Sequence, residues 1–174
     1  MALRNVVTEG DPILRKKCRP VSEVNDYIRE IMGDMLETMR DSLGVGIAAP
    51  QVGIMRRMFV AEPFPGEEEE EIYYMINPEI YEMEGEEDGE EGCLSVPGYL
   101  GKVVRPERIK IRALDLDGNM QDYEFEGFAA RVMCHEYDHL EGVLYTDKAT
   151  EVYERTYSDE EDEEAEDVKP QGEE

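Results

Sequence analysis

Phe128-Ala129-Ala130-Arg131-Val132-Met133-Cys134-His135-Glu136-Tyr137-Asp138-His139-Leu140 is the stretch on which the reading of this 174-residue chain turns. Phe128, Val132, His135 and His139 recur at helical spacing, so the segment reads as a helix. Residues four apart share a helix face, and both imidazoles can therefore reach one ion. These two are the chain's whole histidine complement. Glu136 lies beside the first of them, where a carboxylate can take a proton from water activated by a metal. Two ordinary helix histidines are the plain alternative, and the Glu between them argues against it.

A catalytic site takes three protein ligands and leaves one position open. With no third histidine, Cys, Asp or Glu must supply the third. Cys134 is rotated ~100° from His135 and ~140° from His139 around the helix, so it reads as buried packing. Cys18, among Lys16, Lys17 and Arg19, reads as a structural or incidental thiol. Cys93, in Glu91-Gly92-Cys93-Leu94-Ser95-Val96-Pro97-Gly98, is favoured, because Gly92 lets the backbone come close to a ligand or substrate. A lone cysteine is more often plain packing, so the residues alone leave carboxylates open. Glu141, Glu151 or Glu154 would complete the zinc helix of a peptidase.

Outward from this helix, residues 23–42 carry Ile28, Ile31, Met32, Met35, Leu36 and Met39 on one stripe. That spacing predicts an amphipathic helix with Ser22 as N-cap. Asp11-Pro12 opens a turn, and Gly44-Val45-Gly46 starts an irregular segment. Strands are expected at 57–62, 72–77, 80–84, 108–115 and 120–125, the last two joined at Asp117-Gly118. Helices at both ends of a run of short strands give an α+β fold. Its mostly antiparallel strands should surround a central helix carrying the two histidines, with a further helix near the amino end.

The formal net charge is −26, from 18 basic and 44 acidic residues. Residues 67–91 hold thirteen acids and no base, and residues 157–174 ten acids and one base, together −22 of the total. The first stretch reads as an acidic loop. The second is too polar to offset its ordering entropy and reads as a disordered tail, 157–174, beyond a catalytic domain at 1–156. Such acidity excludes a broad footprint for nucleic acid and disfavours anionic membrane surfaces. No apolar run approaches the ~18 residues of a membrane helix, and no secretory signal opens the chain. A cytoplasmic protein is expected.

Three segments together resemble the signature of peptide deformylases. They are Gly44-Val45-Gly46-Ile47-Ala48-Ala49-Pro50-Gln51, Glu91-Gly92-Cys93-Leu94-Ser95 and His135-Glu136-Tyr137-Asp138-His139-Leu140, in that order. The likeness covers about residues 1–150, with Gly10-Asp11-Pro12-Ile13-Leu14 fitting the family's amino end. Two departures are Ile47, where Leu is usual, and Cys134, where Gln commonly precedes the first histidine. The resemblance implies Cys93, His135 and His139 as ligands of one divalent ion, Fe²⁺ with Zn²⁺ as alternative. It implies Glu136 as general base and acid, and the Gln51 side-chain amide and Leu94 backbone N–H as oxyanion donors. The implied substrate is the formyl-Met end of a nascent peptide, cleaved to formate and a free amino terminus. Phe128, Val132 and Ile47 would wall its methionine pocket. Main chain near Gly46 and Gly92 would pair with the substrate backbone. Arg131 is expected to face solvent. Asp138 either braces the site through Arg105 or makes a surface ion pair. Contact with ribosomes would be transient.

Overall fold

The structure, a computed structural model, describes residues 2–64 and 71–155. The acidic residues 67–70 and the tail 157–174 lie outside the described residues. Helix α1 (Asp26–Asp41) buries Ile28, Ile31, Met32, Met35, Leu36 and Met39, the expected stripe. Its N-cap is Asn25 and not Ser22: the Asn25 side chain accepts from the Ile28 N–H at 3.0 Å. The chain just before cannot enter the helix, because Val21 is held by Asn77, donating its N–H to Oδ1 (2.7 Å) and accepting from Nδ2 (2.8 Å).

Strands β1 (Gly46–Ala48), β2 (Met58–Ala61), β3 (Tyr73–Glu84), β6 (Arg108–Leu114) and β7 (Met120–Glu126) form one antiparallel sheet in the order β1-β2-β3-β6-β7. A second sheet pairs β4 (Glu87–Cys93), β5 (Val96–Arg105) and β8 (Glu151–Glu154), again antiparallel. Helix α2 (Gly127–Leu140) is buried along almost its whole length against the first sheet, and a short α3 (Tyr145–Lys148) follows it. The fold is the expected α+β arrangement around α2.

Two strand expectations need correction. The strands expected at 72–77 and 80–84 are one strand, β3. Asn77-Pro78 reads as a break, but Asn77 adopts φ 51° and the ladder absorbs the irregularity as a register shift between Ile76 and Glu79. An Asn tolerates this left-handed conformation better than most residues. Strands β4 and β5 were not expected at all. Their acids and glycines read as loop, yet pairing between strands holds them, and Glu79 to Glu91 therefore run largely along β3 and β4. The acids of β3 face bases on the neighbouring strand, as in Lys110–Glu82 at 3.1 Å.

The core has three parts. One packs α2 on the first sheet through Phe59, Met75, Ile111, Ala130, Met133 and Leu140. Cys18 and Cys134 lie in it as small apolar side chains, as expected, and burial pushes both thiols up to about 11. The second packs α1 on the other face of β1 and β2, and the third joins Leu14 to the β4–β5 hairpin and Tyr145.

Candidate metal centre

Helix α2 places His135 and His139 one turn apart, with ring centroids 5.1 Å from each other. The β4–β5 hairpin brings Cys93 against them, with its Sγ 3.4 Å from His139 Nε2. One donor atom from each of Cys93, His135 and His139 lies within 4.8 Å of the others, the one such group of three found among the described residues. Bonds of ~2.0–2.3 Å around a tetrahedral ion put donor atoms roughly 3.3–3.6 Å apart, so the sulfur–nitrogen separation fits a shared ion. Cys134, on the same helix, packs in the core, as its rotation requires. Glu141 is turned to Arg57 at 2.7 Å, and Glu151 and Glu154 are exposed on β8.

Beneath the three donors lies a buried lattice of charge. Glu91 precedes Cys93 by two residues on β4. It accepts from Arg105 Nε and Nη2 (2.8 and 2.9 Å), from Arg131 Nη1 (2.8 Å), and pairs with His135 Nδ1 at 2.8 Å. Arg105 also donates to Asp138 at 2.6 Å, and Lys148 reaches the same carboxylate. Asp138 thus braces the site through a buried pair. Arg131 is not at the surface. It is 5% exposed and also donates to the carbonyls of Val103 and Glu87, both at 2.8 Å. An arginine one step round the helix from Val132 reads as facing solvent; here β4 arrives from far along the chain and covers it.

The lattice sets protonation. Burial opposes charge on Glu91, but the hydrogen bonds from Arg105 and His135 outweigh it and hold the carboxyl well below the usual range. Burial likewise disfavours a charged His135 ring, yet its bonds to Cys93 and Glu91 prevail and raise its pKa. The Glu91 contact occupies Nδ1, which turns Nε2 toward the cysteine. Burial pushes His139 well below its ordinary value, and the neighbouring His135 and Arg105 push it further, so it is a neutral imidazole with a lone pair to offer.

Glu136 is 4% exposed, and burial raises its carboxyl to about 7. Its Oε1 has no hydrogen-bond partner among the described residues. The opposite wall is β1. A side chain at Gly46 would place its Cβ 2.5 Å from Glu136 Oε2, so only glycine admits the carboxylate there. Gln51 is 1% exposed; its Oε1 accepts from Ala48 N–H at 2.9 Å. Its Nε2 donates to Ser95 Oγ at 3.1 Å and lies 3.6 Å from Cys93 Sγ. The amino-terminal segment locks both ends of this arrangement: Val7 N–H donates to Gln51 O and Glu9 N–H to Ser95 O, each at 2.7 Å.

Above these groups opens a cleft of ≈ 690 Å³. Gly46, Gln51, Gly92, Cys93, Leu94, Phe128, Val132, His135 and Glu136 all line it. Ile47 does not. It is fully buried against α1, because successive strand residues point to opposite faces and Gly46 takes the cleft side. A smaller hollow of ≈ 460 Å³, beside Tyr27 and Arg56, shares none of these residues. Glu91 and Arg131 are the parts of the site that sequence reasoning missed. The available signal was the two-residue spacing of Glu91 and Cys93, which becomes visible only if 87–93 is read as a strand.

A buried two-histidine helix facing a cysteine-bearing hairpin defines the class: an α+β hydrolase fold with a three-donor centre beside a carboxylate. Residues 3–155 match the family model described as polypeptide deformylase. The chain is 51% identical over 148 residues to a peptide deformylase of Caldanaerobacter subterraneus, covering 85% of this chain and 90% of that one. It is 52% identical over 147 residues to peptide deformylase 1 of Clostridium perfringens, covering 84% and 98%. The crystal structure of the Thermotoga maritima peptide deformylase superposes with a TM-score of 0.82 at 40% identity, covering 87% of this chain and all of that one. The chain belongs to the polypeptide deformylase family.

Proposed function

We propose that this chain is a metal-dependent hydrolase that removes the formyl group from N-formylmethionine at the amino terminus of newly made polypeptides. The observation that carries the reading is the convergence of Cys93, His135 and His139 beside the buried Glu136 at the floor of the cleft. Once an ion displaces the proton that His135 otherwise holds, a cysteine sulfur and two imidazoles are a donor set for Fe²⁺ or Zn²⁺, and Fe²⁺ is our assignment. Bound there, the ion supplies Lewis acidity, polarising the formyl carbonyl and making water nucleophilic at neutral pH.

The remaining roles fall to the protein. Glu136 takes a proton from the attacking water at its carboxylate and returns it to the departing amine nitrogen. The Gln51 Nε2–H and the Leu94 backbone N–H stabilise the developing oxyanion. Losing one such donor typically costs ~2.7–4 kcal/mol of transition-state stabilisation. Glu91, Arg105 and Asp138 hold the His135 ring in its ligating orientation. β1 is the edge strand of its sheet, so the substrate backbone can add beside Gly46 in extended form, with the Gly92 main chain opposite. The substrate's methionine packs against Phe128 and Val132, where a flexible thioether suits an apolar wall.

Residues 1–156 are the catalytic domain in this reading, and 157–174 an acidic appendage. No described helix is long and apolar enough to cross a membrane. We place the enzyme in the cytoplasm, meeting ribosomes transiently and reading no nucleic acid directly. Glu136→Ala is the test of the chemistry. The variant should keep its metal and lose formate release by at least ~10²-fold. A variant with full metal and near-parental rate would remove the assigned acid and base.

A further inference from the structure

Away from the cleft, the ≈ 460 Å³ hollow beside Tyr27 and Arg56 has a lining that deformylation does not use. It forms where the segment leading into α1 meets the turn just before β2. The Arg57 N–H donates to Arg19 O at 2.8 Å and the Arg19 N–H to Met55 O at 3.4 Å, so Arg19 and Arg56 pair as a parallel bridge. Chains so paired run about 4.8 Å apart, and paired side chains share a face. Both arginines line the hollow. Two permanently charged guanidinium groups are thereby rooted side by side.

This pairing runs against the composition. Acids outnumber bases 44 to 18 in the chain, yet among the described residues neither arginine has a carboxylate within 4.0 Å. Arg56 Nη1 donates to the Met55 carbonyl at 3.2 Å, a neutral partner, and Arg19 is exposed. Asp26, at the start of α1, is turned to Arg29 at 2.8 Å. Glu23 is the one acid in the lining and pairs with neither arginine. Like charges directly opposite weaken a pairing. An anion held between the two guanidinium groups would relieve that repulsion, and their planar forks match phosphate or carboxylate.

The rest of the hollow suits a flat apolar body. Ile28 and Ile31 are buried at its floor, with Ile54 and Met55 half-buried beside them. Tyr27, on the first turn of α1, lines it and is 63% exposed, which leaves its ring free to stack. The volume lies within the ~300–1,000 Å³ of small-molecule sites.

We propose that this hollow binds a small aromatic anion, a flat ring bearing a phosphate or a carboxylate. The anionic group bridges Arg19 and Arg56, and the ring packs against Tyr27 and Ile54. The site shares no residue with the metal cleft, so it stands apart from the deformylase reading.

The test titrates small probes into full-length, isotope-labelled, zinc-loaded protein and follows the backbone amide signals. Adenosine monophosphate and 4-hydroxyphenylacetate carry both ring and anion; adenosine, inorganic phosphate and acetate carry only one of the two. At least one of the ringed anions should shift the amides of Tyr27 and residues 53–56. It should bind about tenfold or more tightly than the single-feature probes that match it. Which one does so separates phosphate from carboxylate. Changing Arg19 and Arg56 together to Gln should weaken that binding by about tenfold or more. Tyr27→Ala should weaken it by about tenfold through lost stacking. Glu23→Gln should tighten it, because the lining then loses its one negative charge. The double Gln variant should keep the parental melting temperature and rate of formate release. No shift in these amides at about 10 mM of either ringed anion, shifts confined to the cleft, or undiminished binding by the double Gln variant would each overturn the proposal.

Discussion

Two sets of ion pairs in this molecule use the same residue types in opposite settings. Beneath α2, Arg105 and Glu91 side chains are 2% and 4% exposed, and each makes several charge-assisted hydrogen bonds. On the outer face of β3, β6 and β7, Arg108 approaches Glu84, Glu124 and Glu126 at 3.8, 3.5 and 3.2 Å, all in open solvent. The inner set has lost its water, so each partner must be satisfied by another, and a single geometry results. The outer set stays hydrated, and its members can exchange partners at little cost. Charge orders the metal centre only where water is excluded; on the outer sheet it keeps the surface polar.

Breaking the inner set should have the largest effect. Glu91→Ala leaves Arg105 and Arg131 buried without their shared carboxylate, which should cost ~3–5 kcal/mol in chemical unfolding. It should also lower metal retention by releasing His135 Nδ1. Parental stability in that variant would mean the lattice is not the brace described here.

Asp34 stands between the two extremes. Its side chain is buried, while its partner Arg4 is about one-third exposed. The Ala2 N–H, donating at 2.7 Å, lowers its pKa first; burial opposes this, and Arg4 lowers it further. A carboxyl lowered in the fold stabilises the protein above its unfolded value of ~4 and loses that contribution as pH falls through the folded value. Asp34→Asn should therefore be less stable than the parent at pH 7, with the gap narrowing progressively in urea melts below about pH 4. A gap independent of pH would contradict the assignment.

The smallest effect belongs to the outer face. Arg108→Ala should leave the melting temperature and the formate-release rate unchanged within error. A clear loss of stability would show that the outer pairs act as a network and would erase the contrast.

How much of this was legible beforehand follows the same division. The α2 periodicity and the spacing of His135 and His139 are local, so the helix and two of the three donors could be read directly. Cys93 could be favoured from its glycine neighbour and was singled out by family resemblance. Of the lattice, only the Arg105–Asp138 pair could be named, as one of two readings of Asp138; the rest depends on β4 and β5, whose acids and glycines carry no apolar alternation. Arg131 was misplaced for that reason: what buries it comes from residues some forty positions earlier. Asn25 displaced Ser22 as the α1 cap because Asn77 tethers Val21, another contact invisible in local sequence.

The central claim is that Cys93, His135 and His139 hold one ion that serves deformylation. It is tested most directly by measuring metal content and formate release on the same anaerobically purified sample, for the parent and for Cys93→Ala. The parent should carry about one divalent ion per chain and release one formate per formyl-Met-Ala-Ser consumed, and Cys93→Ala should lose both metal and activity. Full metal with no formate from the parent, or undiminished metal and activity in Cys93→Ala, would contradict it.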